Sequence, residues 1–192
     1  AEGRAEAVLA KGYEVIERFP GSDLSGLEYV PALLEEVPAQ ASLKPAHMVV
    51  LSDQYVTLED GTGCVHTAPG HGEEDHAVGE AYGLPDFSPV DERGRFTADG
   101  GRYAGMEVRE ANARIIEDLR RKRLLFKEEM TRHRYPHCWR CKTPLILRTA
   151  SQWFIRVTDL KERLLEENEK VEWIPEWAGR QRFGNWIKNA KD

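Results

Sequence analysis

No regular element can run unbroken from Gly61 to His76, because within those residues the chain places Gly61, Gly63, Pro69, Gly70 and Gly72. Glycine and proline are the strongest local breakers of helix and strand. The N-terminal side of the break is β-prone: Cys64 to Thr67 comes after the hairpin signal Glu59-Asp60-Gly61. The C-terminal side is helix-prone, since Glu73 to Tyr82 reads as a short helix stopped by Gly83 and Pro85. The stretch therefore predicts strand, turn and helix start in succession, with His66 and Thr67 on the strand and Asp75 in the first helical turn. Such an arrangement gathers an imidazole, hydroxyls, free backbone N–H groups and a carboxylate around one small cleft, suited to a small amino-bearing ligand. The helix dipole favours Asp75 as the anion, which can pair with an ammonium group. The same residues admit a plainer reading, in which Asp75 only caps the helix and His66 is a satisfied core histidine.

Elsewhere the pattern is uneven. His47 to Leu51 and Tyr55 to Leu58 are short β-prone runs, and with the 64–67 strand they predict the centre of a β-rich body. Glu107 to Phe126 is the clearest helix, with Val108, Ala111, Ile115 and Leu119 on one face and charge on the other. Leu145 to Leu147 and Trp153 to Val157 read as short strands. Asp159-Leu160-Lys161-Glu162 resembles a capping box opening a helix to about Glu169, and a last helix is expected from Pro175 to Ala190. With 192 residues, the chain has room for one large domain or one domain with an appendage. The composition shifts near Thr131 to Arg134, which divides 1–133 from 134–192.

Charge is concentrated. From Arg120 to Arg148 there are ten basic residues against Glu128 and Glu129, a local charge of +8 in a chain whose net charge is −6. Interleaved with Tyr135 and Trp139, this segment fits a surface that meets a nucleic-acid backbone, or else a solvated helix face followed by a basic loop. No apolar run approaches the roughly 18 residues of a membrane span, and Ala1 to Ala10 lacks the basic start and apolar centre of a secretory signal. The expected location is the cytoplasm.

Several chemistries lack their motifs. G-x-G-x-x-G in a βαβ unit, G-x-x-x-x-G-K-[ST], H-E-x-x-H and G-x-S-x-G are all absent. His66, His71 and His76 recur at a spacing of five, which does not set three rings on one helix face. Cys138-Trp139-Arg140-Cys141 is different, because C-x-x-C in a tight turn supplies two ligands of a tetrahedral zinc site. Three readings stay open: half of a split zinc site, a complete site using His133 and His137, or ordinary thiols.

The run from Gly61 to Gly72 followed by Asp75, then Tyr135-Pro136-His137-Cys138-Trp139-Arg140-Cys141-Lys142-Thr143-Pro144 and Gln152-Trp153-Phe154, resembles the editing insertion of class I aminoacyl-tRNA synthetases. Gly26-Leu27-Glu28-Tyr29-Val30-Pro31 and Arg182-Phe183-Gly184-Asn185-Trp186 add weaker matches, so the likeness spans almost the whole chain. His66 favours the isoleucyl branch, since the valyl and leucyl relatives carry other residues there. The resemblance implies an α+β fold: a β-rich, barrel-like editing domain with packed helices, then half of a zinc-ribbon-like knuckle and a helical C-terminal stretch. It also implies a function, hydrolysis of valine wrongly esterified to the tRNA for isoleucine, because one methylene distinguishes the two amino acids by only about 1 to 3 kcal/mol.

Under that resemblance Asp75 holds the α-ammonium of the misplaced valine, and His66 lines the side-chain and ester side of the pocket. Gly63, Thr67 and His71 complete the substrate surround. Water attacks the ester, with no cofactor needed for editing, while ATP and magnesium belong to the catalytic domain of the parent ligase. Cys138 and Cys141 would hold zinc only as half of a split site. The implied partners are the acceptor end of the tRNA, met mostly through phosphates by the 120–148 segment, and the rest of the synthetase chain; no membrane is involved. A tRNA-binding module without hydrolytic activity is the alternative. The family's threonine-rich Trp-Thr-Thr-Thr-Pro-Trp segment, its second cysteine knuckle, and the signatures H-I-G-H and K-M-S-K-S have no match here. The expectation is a piece of a larger enzyme that keeps one wall of the editing pocket.

Overall fold

Capping and apolar spacing decide where the helices of this chain begin and end. The computed structural model describes residues 2–9, 12–59 and 61–192. Asp60 of the hairpin signal and Ala10 lie outside the described residues. The chain divides into two compact units, Ala1–Thr149 and Ala150–Asp192. No described helix is long and apolar enough to cross a membrane.

Among the described residues, the first unit holds three α-helices: α1 (Ala5–Leu9), α2 (Glu73–Tyr82) and α3 (Val108–Arg121). The helix expected after the glycine break forms as α2, and Gly83 closes it in the left-handed conformation, its N–H bonded to the carbonyl of Glu80. At α3 the Glu107 side chain accepts from the amides of Arg109 and Glu110, which satisfies two of the orphan donors at the helix start. The helix stops at Arg121, short of the expected Phe126, and Arg123 turns the chain at φ 59°. Its buried face carries Ala111 and, unexpectedly for an amphipathic helix, Asp118, with Val108, Ile115 and Leu119 half-buried beside them. Tyr103, from the 3₁₀ segment Ala98–Tyr103, and Val90 complete this small core.

The expected β-rich, barrel-like body does not form. Among the described residues, extended pairing amounts to four isolated antiparallel bridges, Glu28 with Met48, Val90 with Phe96, Arg95 with Glu107 and His137 with Pro144, and there is no sheet and no barrel. Segments 26–29 and 47–49 come closest, through Gly26 N to Val49 O at 2.9 Å, Val49 N to Leu27 O at 2.9 Å and Tyr29 N to His47 O at 3.0 Å. The runs 55–58, 64–67, 145–147 and 153–157 make no ladder. A β-prone run becomes a strand only when a second run takes up its N–H and C=O groups, so side-chain preference alone does not create a sheet.

The second unit contains α4 (Lys161–Glu169) and α5 (Gly184–Asn189), the latter preceded by a π-helical stretch, Ala178–Phe183. The expected capping box at Asp159 is replaced by a 3₁₀ turn, Thr158–Leu160, and the Asp192 carboxylate accepts from the Thr158 amide and hydroxyl. The π-helical widening has a visible cause: the buried Asn168 amide donates to the carbonyl of Gly179 at 3.2 Å while its oxygen accepts from the Trp173 indole at 3.0 Å. Trp173, Phe183 and Trp186 then pack in series as tilted pairs, with centroids 5.2 Å and 5.6 Å apart, and Ile187 is buried.

Candidate functional site

The break at Pro69 to Gly72 packs directly on α2. Pro69 lies against Gly79, where an added Cβ would come within 2.8 Å of the proline ring. Gly70 is buried so close to Phe87 that a Cβ would stand 2.3 Å from the Phe87 carbonyl oxygen, so no larger residue fits without moving backbone. The His71 amide donates to Ala68 O at 2.8 Å and closes the turn, and the His76 amide donates to Gly72 O at 2.8 Å and opens the helix.

Asp75 sits in the first turn of α2 and folds back over Gly72, where a Cβ would lie 2.6 Å from its Oδ2. The helix has Gly72 as its N-cap and no side-chain cap bond. Asp75 is half-buried and, among the described residues, its carboxylate has no hydrogen bond or ion pair. A capping role through a side-chain hydrogen bond is therefore not what this residue performs. Its carboxylate lies at the positive end of α2.

The other members of the cluster are placed differently. His66 is exposed on irregular chain instead of a strand, so its ring is not a satisfied core group. Thr67 and Gly63 are half-buried in the same irregular stretch, Gly63 at φ 87°. His71 turns to a segment that sequence spacing could not reveal: its Nδ1 lies 2.9 Å from Leu147 O, and its Nε2 is buried without a partner among the described residues. Thr149 N donates to Gly70 O at 3.0 Å, and its hydroxyl donates to Asp86 Oδ1 at 3.0 Å. Arg109 reaches the carbonyls of Pro144 and Leu145 at 2.7 Å and 3.3 Å. Segment 144–149 thus straps the cysteine turn to the loop carrying His71. Cavities of about 650 Å³ and 790 Å³ lie in the second unit against Trp173, Phe183 and Trp186, and neither includes a residue of 61–76.

At the cysteine turn, Cys138 N donates to Thr143 O at 2.8 Å and Lys142 N to Cys138 O at 2.9 Å. The Thr143 hydroxyl, 2.9 Å from Cys141 Sγ, together with the Thr143 backbone and Cys138, brings the exposed Cys141 thiol down to about 7. His133 and His137 point Nδ1 at the carbonyls of Arg134 and Tyr135. Among the described residues no three histidine, cysteine or acidic side chains gather as a metal site. The turn as it stands offers two sulfur ligands.

The basic segment is partly neutralised by carboxylates of its own and of other segments. Arg120 pairs with Glu128, Arg121 with Asp118, Lys122 with Glu35 and Glu36, Lys127 with Glu129 and Arg148 with Glu92. Among the described residues, Arg123, Arg132, Arg134, Arg140 and Lys142 stand in no ion pair.

With this geometry in place, the sequence comparisons are decisive about kinship. The family model for class I tRNA synthetases of the isoleucine, leucine, methionine and valine group matches residues 11–192, and the chain belongs to that family. Among individual relatives, it is 53% identical to an isoleucine–tRNA ligase of Methanopyrus kandleri over 97% of this chain and 18% of the relative. It is 52% identical to that of Methanothermobacter marburgensis over 100% of this chain and 18% of the relative, and 54% identical to that of Archaeoglobus fulgidus over 100% and 19%. The chain therefore spans about a fifth of the length of the curated relatives it matches.

Proposed function

We propose that this chain is the part of an isoleucine–tRNA ligase that hydrolyses valine wrongly esterified to the tRNA for isoleucine. The observation that carries the reading is Asp75: a half-buried carboxylate at the start of α2, folded over Gly72 and left without a cationic partner among the described residues. An α-ammonium group is its natural counter-ion, and a charge-assisted hydrogen bond there would orient the aminoacyl ester. The exposed imidazole of His66 lines the ester side, with Gly63, Thr67 and His71 in the surrounding loop. Attack by an ordered water on the ester carbonyl then requires no cofactor, and donors at the oxyanion supply part of the rate. Ligation itself, with ATP and magnesium, is the work of other parts of the enzyme, in the cytoplasm.

Cys138 and Cys141 fit a zinc ion as two of four ligands, the others coming from elsewhere in the synthetase; bound zinc would order the turn and take no part in hydrolysis. The tRNA is met through the 120–148 segment. The test is Asp75→Ala in the complete ligase, assayed for deacylation of valyl-tRNA for isoleucine. Deacylation should fall by about two orders of magnitude or more, on the order of what removal of a positioning contact costs. Unchanged deacylation by the variant would overturn the site assignment.

A further inference from the structure

The tip of the cysteine turn presents a tryptophan to solvent under conditions that suit a nucleobase better than a protein. Trp139 is 77% exposed, and the Arg140 guanidinium lies over its ring, 4.9 Å from the centroid. One face of the indole is covered by a planar cation and the rest of the ring remains in water. The support beneath is ordered: the bridge between His137 and Pro144 and the bond from Leu145 N to Pro136 O at 3.0 Å close the base, and Lys142, at φ 62°, donates its ammonium to Trp139 O at 2.9 Å. A platform ordered in advance loses little conformational freedom when a ligand arrives.

Charge selects the partner. Between Met130 and Thr149 the sequence contains no acidic residue, and Arg132, Arg134 and Arg140 have no carboxylate partner among the described residues. An apolar protein surface covering Trp139 would have to strip water from these guanidinium groups and leave them unpaired, which is costly. A polyanion neutralises them with its phosphates and gains from counterion release. Tyr135 stands edge-on between His133 and His137, with centroids 5.8 Å and 6.2 Å away, which extends the aromatic surface along the same basic stretch.

We propose that Trp139 and Arg140 form a stacking platform that takes an unstacked base of single-stranded RNA, with the neighbouring arginines holding its phosphates. The inference rests on the reading that the 120–148 segment meets tRNA, and adds to it contact with a base. Stacking is tolerant of base identity and needs the base out of a duplex, whereas phosphate contact does not.

The test measures binding of this chain to a fluorescent single-stranded RNA oligonucleotide and to a blunt RNA duplex across a salt series. Trp139→Ala should weaken single-strand binding about tenfold, leave duplex binding unchanged and leave the salt slope unchanged, and Trp139→Phe should restore most of the affinity. Arg140→Ala should weaken both and lower the slope by about one. Trp153→Ala, at a 102% exposed tryptophan of the second unit, serves as the control that changes neither. Equal affinity of wild type and Trp139→Ala for the single strand, or an equal loss on both RNAs, overturns the stacking platform while leaving the tRNA reading intact. Failure of the wild-type chain to bind either RNA overturns both.

Discussion

Asp118 is 1% exposed and sits on the buried face of a helix, where an uncompensated carboxylate would be costly. Its oxygens are satisfied by the Tyr103 hydroxyl at 2.9 Å, Arg102 at 3.2 Å and Arg121 at 2.9 Å. Burial pushes this carboxyl up, but the Tyr103 hydrogen bond and the two guanidinium groups outweigh it and hold it below the usual range. Tyr103 is driven the other way, to about 12, by burial first and by Asp118 second. Glu36 nearby is held down by the Lys122 ammonium, 2.8 Å away. A depressed folded-state pKa contributes stability that is complete above the unfolded value of about 4 and is lost as pH falls through the folded value. Thermal melts from neutral pH into strong acid should therefore show Tm falling more steeply with acid for wild type than for Asp118→Asn. Parallel curves would remove the network from the acid response. Nothing in the helical pattern around Asp118 announced this role, because its partners come from the 98–103 turn and from α3 itself only once the two pack.

At the level of elements, the starts of α2 and α3 and the stop of α2 were readable locally, whereas α3 ends at Arg121, short of Phe126, and a 3₁₀ turn takes the place of the capping box at Asp159. α2 and α3 begin after Gly72 and after Glu107, where glycine and an acceptor side chain mark the start, and the stop at Gly83 comes from its access to positive φ. Glu107→Ala removes the acceptor for two amides and should cost about 1 kcal/mol, read as a lower midpoint in urea with unchanged slope; an unchanged midpoint would show that water replaces the cap. Strands were over-read for a reason of the same kind: a strand is a relation between two segments, and only four bridges join segments among the described residues. The strap 144–149 is the opposite case, an irregular segment with many anchors. His71 holds Leu147 O and Gly70 O holds Thr149 N, so His71→Ala should loosen the loop on both sides. Amide exchange at Thr149 is expected to rise by about tenfold or more, the equivalent of one net hydrogen bond. Protection equal to wild type would show that the remaining anchors, Gly70, Asp86 and Arg109, hold the strap without His71.

For the molecule as a whole, the distribution of aromatic side chains is the informative quantity. Trp139, Trp153, Trp177 and Trp186 are all more than half exposed, and Trp173 alone is partly enclosed. The chain's indole emission should accordingly be long-wavelength and strongly quenched by acrylamide, with one protected component that disappears in Trp173→Phe. A blue-shifted, poorly quenched spectrum would contradict these exposures.

Two kinds of information were separable along this chain. Effects that act within a few residues, such as the starts of α2 and α3, the stop at Gly83, the turn at the cysteines, the local charge of the 120–148 segment and the order of the motifs, were settled by the residues themselves, since capping, φ restriction and charge density need no distant partner. Effects that depend on which remote segment arrives were settled by packing: the missing sheet, the pairing of half the basic segment, the Asp118 network, the strap beneath His71 and the open position of Asp75. Hydrogen bonds and ion pairs across long sequence separations have no signature in spacing, because either partner alone looks like any other polar residue on a surface.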